Sequence, residues 1–341
     1  MYESDQLDFL KRRSSEKPLS RREFMRALSL AGAGGAGVAA ALSGLTLTSS
    51  QRAEAAERVV SDMGKLPHRQ LGSQLGGMKI SPVCMSYDWP RDLYAPALAA
   101  GINFVHKAGY WKELPEEFKS LPRESFYTDI TVDSTPNRPD DYDGAYNQVV
   151  ESLDKTGLKY FDIFRAHYGW HSVDAFKNKT GTYRAFERLH REGKVKYFGV
   201  SQHGDPSGRD YPRYPDIIQT QIDSGIIHSY QVFFSFEYPA DITAIFDKAS
   251  KSGIGMTAMK VVAHGMGKMR SNETAMQAMK AQGMPARACI REVLFHSRRQ
   301  DGKPIFQTCV SNLQNLQMFE ENVGALSPKV ALADGFELEV A

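Results

Sequence analysis

Between residues 83 and 310, short apolar runs alternate with longer stretches whose apolar positions recur every three or four residues. The first kind predicts strands and the second helices. The strand candidates are Val83–Ser86, Asn103–His106, Phe126–Val132, Phe161–Ala166, Tyr197–Ser201, Gln231–Phe236, Gly255–Met259 and Ile305–Val310. Among the helix-like stretches are Gly144–Lys155, Thr182–Arg191, Ile242–Ser250 and Ala275–Phe295. Glycines at 101, 157, 193 and 253 follow helix-like segments, where a left-handed cap ends a helix without steric cost. Ahead of the alternation, two short runs between Leu66 and Val83 are broken at Gly72 and at Gly76-Gly77, which predicts a β-hairpin.

Strictly alternating βα units make a parallel sheet. Eight of them in about 250 residues fit a closed α/β architecture, the (β/α)8 or TIM barrel with an N-terminal β-hairpin, better than an open sheet. No glycine-rich strand–turn–helix of the G-x-G-x-x-G kind is present, which argues against a Rossmann domain. In parallel barrels the side chains at strand carboxyl ends line the ligand site. Three of the apolar runs finish on a histidine, namely His106, His167 and His203.

The 341 residues are 42% hydrophobic and 24% charged, ordinary for a globular protein. A net charge of +2 gives no field that would favour nucleic acid. Cys84, Cys289 and Cys309 lack metal-ligand spacing and form no disulfide framework; Cys84 and Cys309 lie in strand-like runs and read as small core residues. The N-terminus has a different composition. The run Ser20-Arg21-Arg22-Glu23-Phe24-Met25-Arg26 precedes an uncharged, Ala- and Gly-rich stretch from Ala27 to Ser50. A basic region, a modest apolar region and a small-residue cleavage site (Ala53-Glu54-Ala55) make a secretory signal. The paired arginines resemble the twin-arginine export signal, whose passengers cross the membrane folded. The expected division is residues 1–55 as signal and 56–341 as barrel, with the twin-arginine translocation machinery as partner and the periplasm as destination. A membrane enters only if the signal is retained as an anchor.

Several segments in chain order then resemble the aldo-keto reductase family. They are Arg69-Gln70-Leu71-Gly72 at the hairpin, Gly101-Ile102-Asn103-Phe104, and Tyr160-Phe161-Asp162-Ile163 with His167. Gly193-Lys194-Val195-Lys196-Tyr197-Phe198-Gly199-Val200-Ser201, Gln231, Ala258-Met259-Lys260 and Glu320-Glu321-Asn322 continue the series. The resemblance implies hydride transfer between a nicotinamide cofactor, NADP or NAD, and a small carbonyl or alcohol. It also implies a tyrosine as proton donor, tuned by a lysine that an aspartate pairs with, and a histidine that orients the carbonyl.

Carried over residue by residue, the histidine falls on His167. The aspartate position holds His106, the tyrosine position holds Trp111 with Tyr110 one residue early, and the lysine position holds Thr131. The loss of aspartate and lysine together reads as one redesign, because a buried ion pair is costly to break on one side only. Expected catalytic residues are therefore His167, Tyr110, His106 and Lys107, the last as a replacement cation if the strand has ended by that point. Expected cofactor-binding residues are Ser201, Gln202, Gln231, Lys260, Gln314 and Asn322, with Gln314 standing where the family often has an arginine for the 2′-phosphate. Asp129, Thr131 and Asp133 share one face by alternation. Two other functions compete: a barrel that has lost hydride chemistry and binds a ligand, and a metal site assembled from His106, His167 and either His203 or Asp133 at the barrel mouth.

Overall fold

The structure is a computed structural model that describes residues 18–30, 42, 45–132, 141–167, 173–178, 181–202, 214–234, 240–261, 285–291, 293–294, 297–311, 313 and 315–327. Two compact units emerge, one of residues 68–88 and 103–311, the other of residues 1–67, 89–102 and 312–341.

The larger unit holds the sheet. A hairpin of β1 (Arg69–Gln70) and β2 (Lys79–Ile80) comes first. Eight parallel strands then close on themselves: β3 (Val83–Ser86), β4 (Phe104–His106), β5 (Tyr127–Val132), β6 (Phe161–His167), β7 (Val195–Gln202), β8 (Ser229–Phe233), β9 (Gly255–Met259) and β10 (Thr308–Ser311), with β10 pairing back onto β3. This is the (β/α)8 barrel with an N-terminal hairpin that the alternating pattern predicts. Expected and observed strands agree within two residues at most ends. The last begins three residues late, at Thr308, and of the expected Gln231–Phe236 the end beyond Phe234 lies outside the described residues.

Helices in this unit follow their strands with caps the sequence supplies. In α5 (Tyr142–Thr156) the Asp141 carboxylate accepts from the Gly144 N–H at 2.8 Å. The helix ends at Gly157, which has φ 70° and returns its N–H to the Leu153 carbonyl. Its buried stripe is Ala145, Gln148, Val149, Ser152, Leu153 and Thr156, the three-and-four spacing of a helix packed on a sheet. α6 (Val173–Lys177), α7 (Gly181–Arg191), α8 (Tyr214–Ser224) and α9 (Ala240–Lys251) continue the alternation. Of the expected Ala275–Phe295 helix, α10 (Pro285–Arg291) is described, and residues 275–284 lie outside the described residues. Phe164, Phe186 and Phe198 pack together between β6, β7 and α7.

Hairpin residues Leu71, Leu75, Met78 and Ile80 form one buried cluster with Cys84, Phe104 and Ile163. They meet the interior side chains near the strands' amino ends, so that end of the barrel is plugged by apolar packing. Asp162 sits at the same level. It accepts from Arg123 at 2.6 Å, from Lys196 at 3.1 Å and from the Thr128 N–H at 3.0 Å, tying β5, β6 and β7 together.

In the smaller unit, α1 (Arg21–Leu30) and α2 (Ser49–Met63) precede α3 (Tyr94–Ala99) and α11 (Leu316–Leu326). Thr48 and Gln51 form a reciprocal capping box at the start of α2. The expected cleavage residues Ala53-Glu54-Ala55 are helical here, with Ala55 and Ala56 buried. No helix among the described residues is long and apolar enough to cross a membrane, and the run Ala31–Ala41 lies outside them.

Gly72 shows how closely the hairpin meets the barrel. Its φ is 58°, and an added Cβ would come 2.5 Å from the Gly253 carbonyl oxygen and 2.6 Å from the Gly255 nitrogen, both backbone. Gly72→Ala should therefore destabilise the protein by more than about 1 kcal/mol, since both conformation and space are incompatible. Urea unfolding of the two proteins measures this. Gly157→Ala, strained by a φ of 70° but with nothing within 4 Å, should cost less.

Candidate active site

Parallel pairing fixes which side chains share the barrel interior, because registered neighbours face the same way. One interior row runs Thr131, Arg165, Gly199 and Ser229; the next, nearer the carboxyl ends, runs His167, Ser201, Gln231, Thr257 and Thr308. Barrel interiors are ordinarily filled by branched apolar side chains. Here the filling is polar and partly charged.

At its centre is the Asp129 carboxylate, fully buried. The imidazole Nδ1 of His106 lies 2.8 and 3.1 Å from its two oxygens, and the Arg165 Nε–H donates to Oδ2 at 2.7 Å. The Lys107 backbone N–H adds a bond to Oδ1 at 3.2 Å. Burial by itself would push the Asp129 carboxyl up; the charges and hydrogen bonds of His106 and Arg165 outweigh it and hold the group below its ordinary value. Arg165 is as deeply buried as its partner. Among the described residues its two terminal nitrogens find no hydrogen-bond acceptor, and Nη1 lies where a side chain on Gly199 would crowd it. On its other side His106 presents Nε2 to the Gln231 amide at 3.3 Å. Strands β4, β5, β6 and β8 thus contribute to one chain of contacts from Arg165 through Asp129 and His106 to Gln231.

Above this layer the mouth is polar and lightly bonded. Ser201 Oγ has the Met259 sulfur at 3.9 Å, and the Gln231 amide nitrogen touches the same sulfur at 3.6 Å. Among the described residues, Gln231 Oε1 and Thr131 Oγ1 are buried without a hydrogen-bond partner. His167 ends β6 half-buried, in register with Ser201. Lys260, directly after β9, has φ 58°, a left-handed backbone costly for a residue with a Cβ. Its ammonium lies 5.7 Å from the Phe233 ring centroid. Cys84 also faces the interior, but burial, and then the nearby Asp129 carboxylate, push its thiol well above the usual range, so it stays protonated.

The structure brings His106, His167, Ser201, Gln202, Gln231 and Lys260 to the carboxyl ends of the barrel strands, Gln202 as the last, buried residue of β7. It does not bring Tyr110 there. The following residue, Trp111, is fully buried; its N–H is held by Ser152 Oγ at 3.1 Å and its indole N–H donates to the Asp129 carbonyl at 3.0 Å. That anchor holds the segment after β4 against β5 and α5 and turns Tyr110 outward, 42% exposed, with Lys155 in the last turn of α5 lying 5.7 Å from its ring. Lys107 is not directed at Tyr110 either: it pairs with Asp88 at 2.9 Å and lies over the Tyr87 ring at 5.1 Å. Asn322 belongs to the smaller unit, where its amide nitrogen donates to the Met318 carbonyl at 2.6 Å and its oxygen is buried without a partner. Gln314, His203 and Asp133 lie outside the described residues. Among the described residues no group of three or more His, Cys, Asp or Glu side chains is placed to hold a metal ion.

Sequence reasoning passed over Arg165 and gave Asp129 no role beyond its face. The signal was available: an arginine inside the apolar strand Phe161–His167, on the parity of His167, must be buried and therefore paired.

The profile described as "Aldo/keto reductase family" matches residues 74–323 of the chain. An "Aldo-keto reductase" of Mycobacterium sp. (strain JLS) is 29% identical over 112 residues, covering 31% of this chain and 38% of that protein. Among solved structures, a putative aldo-keto reductase from Pseudomonas aeruginosa aligns with TM-score 0.54 at 16% identity, over 76% of this chain and 94% of that one. An aldo-keto reductase from Bacillus halodurans, in its holo form, aligns with TM-score 0.56 at 17% identity, over 76% and 90%. At such identities the structural likeness is one of fold.

The buried pair makes a stability prediction. Arg165→Met leaves the Asp129 carboxylate buried without its cation and should cost about 3–5 kcal/mol, whereas Arg165→Met with Asp129→Leu should recover much of that loss. The sign with pH follows from the depressed carboxyl. The stability Asp129 lends is fully present above about pH 3.9, the unfolded value, and is lost as pH falls through the lower folded value. Acid unfolding curves of the wild type and the double variant, compared with denaturant curves at pH 7, check both statements.

Proposed function

We propose that this chain, which belongs to the aldo/keto reductase family, is an exported oxidoreductase transferring hydride between NADP or NAD and a small carbonyl or alcohol substrate. The observation that carries the reading is the unspent hydrogen-bonding capacity at the mouth. Among the described residues Gln231 Oε1 is buried and unpartnered, and Ser201 Oγ has the Met259 sulfur at 3.9 Å. A nicotinamide carboxamide needs one donor and one acceptor set close together, and these two side chains in registered positions of β7 and β8 can meet that need. The residues present fit the cofactor.

Bound there, the nicotinamide would supply or accept the hydride; the remaining work falls to this chain's own side chains. Ser201 and Gln231 hold the ring's amide, with Gln202 beside them. His167, partly exposed at the end of β6, would donate a hydrogen bond to a carbonyl oxygen and orient it. The apolar plug of the hairpin closes the opposite end of the barrel, so substrate enters from the mouth alone. The cofactor's phosphorylation state is open in this reading, since the family's usual arginine is replaced by Gln314. Export rests on the paired arginines, which are exposed on α1 in front of the buried Phe24.

Fluorescence titration of the full chain with NADH and with NADPH should show saturable binding of at least one form. Ser201→Ala and Gln231→Ala should each weaken it by about fivefold, the worth of a hydrogen bond near 1 kcal/mol. No binding of either form would overturn the oxidoreductase reading and leave a barrel without hydride chemistry. Arg21→Lys with Arg22→Lys should retain the precursor in the cytoplasm of the producing cell, measured by fractionation; unchanged delivery would remove the export proposal.

A further inference from the structure

The structure assigns the proton of this reaction to His106 Nε2, with Asp129 and Arg165 as positioning residues behind it. This rests on the oxidoreductase reading and says which of the chain's groups does what the resemblance would give to a tyrosine. The aromatic residues nearest the expected place are spent elsewhere: Trp111 is pinned in the barrel wall and Tyr110 faces outward. Thr131 supplies no cation. What the barrel has instead is an anion on β5, a cation on β6 and an imidazole on β4, bonded in that order.

The arrangement constrains the imidazole strongly. Asp129 accepts from Nδ1, so that nitrogen keeps its proton and the exchangeable position is Nε2, on the side of Gln231. With the Gln231 amide nitrogen toward the ring, Nε2 is an acceptor and the imidazole is neutral. With the amide turned over, Oε1 accepts from a protonated Nε2. Gln231 can serve both forms, and Oε1 is the atom otherwise left without a partner. Arg165 keeps Asp129 ionised in either case, so the carboxylate orients the ring without taking its proton.

For carbonyl reduction the balance is simple. The carbonyl carbon gains a hydride, with its two electrons, from reduced nicotinamide. The C=O π pair becomes the new O–H bond using the Nε2 proton, and the imidazole is left neutral with its Nδ1–H still on Asp129. Solvent returns the proton. Alcohol oxidation runs the same transfers backward, with Nε2 as base.

Among the described residues, the charged or titratable groups near this ring are Asp129 from β5, Arg165 behind it on β6, Cys84 from β3 and the Lys107–Asp88 pair; His167 ends β6 and Lys260 follows β9 at the mouth, and β8 and β9 present the uncharged Gln231 and Met259. Cys84 stays a thiol, and Lys107 is neutralised by Asp88. By this assignment carbonyl reduction consumes the Nε2 proton, so the rate should have a limb falling toward high pH.

Long-range proton–nitrogen NMR of the full chain, labelled with nitrogen-15, tests the ring directly. His106 should show Nδ1 protonated throughout and Nε2 alone titrating. Adding the nicotinamide form that binds should shift its signals through Gln231. In the paired variant Asp129→Asn with Arg165→Gln, which removes both charges together, the Nδ1 preference should be lost. With 4-nitrobenzaldehyde as carbonyl probe, His106→Gln should lower kcat by about 10²–10⁴-fold. It should also erase the falling limb of the pH profile and leave the nicotinamide Kd within about twofold. Tyr87→Phe should do none of these. A His106 whose Nδ1 titrates, or a His106→Gln enzyme with wild-type rate and pH profile, overturns the assignment while nicotinamide binding still stands. A Tyr87→Phe enzyme that loses the limb moves the proton to the phenol. Failure of wild-type nicotinamide binding is a different result and strikes the oxidoreductase reading itself; the tautomer experiment reads the ring whether or not the probe turns over.

Discussion

A carboxylate in the middle of a sheet barrel decides how much of this molecule is built. Asp129 lies where water cannot reach it, and a lone ion there would be neutralised by a shift of its pKa. The barrel instead surrounds it with an arginine from the next strand, an imidazole from the previous one and a backbone N–H. Meeting those demands fixes the registers of β4, β5 and β6, since a slip of one residue would point each partner out of the barrel. It also explains the absence of a side chain at residue 199, which lies in the Arg165 row and would press on the guanidinium if it carried one. The apolar plug of the hairpin below and the polar mouth above are then the two boundaries of one charged layer.

Chains of this fold place ligands at strand carboxyl ends, and the mouth here has the partly bonded character a ligand site requires. Gln231 joins the two levels. Its amide touches the imidazole below and has an unused acceptor available to whatever sits above. A single rotatable group thereby faces both the imidazole and the mouth.

Much of the fold was legible because the pattern is local. Strand runs, glycine stops and the Asp141 cap each act within a few residues, and their sum gives the barrel. The mouth positions His106 and His167 were legible because a strand's last residue is set by where its apolar run stops, whereas Ser201 and Gln231 came from the family resemblance. The charged layer was missed although an arginine inside an apolar strand signals a buried, paired cation, because alternation gives the strand order and not the register that brings Asp129 to Arg165. Tyr110 was misleading for a further reason. Whether a loop aromatic turns inward depends on its neighbour's anchor, and the bond from Trp111 to the Asp129 carbonyl is a contact no spacing reveals.

Trp111 also has an evolutionary implication. A tyrosine in its place would give up the indole hydrogen bond and would still sit in the wall, away from the mouth. An aspartate at 106 would set two carboxylates against a single arginine, and a lysine at 131 would put a second cation next to Arg165 in the same row. Positions 106, 111 and 131 are therefore interdependent: a change at any one of them is constrained by Asp129 and Arg165, which hold their partners already.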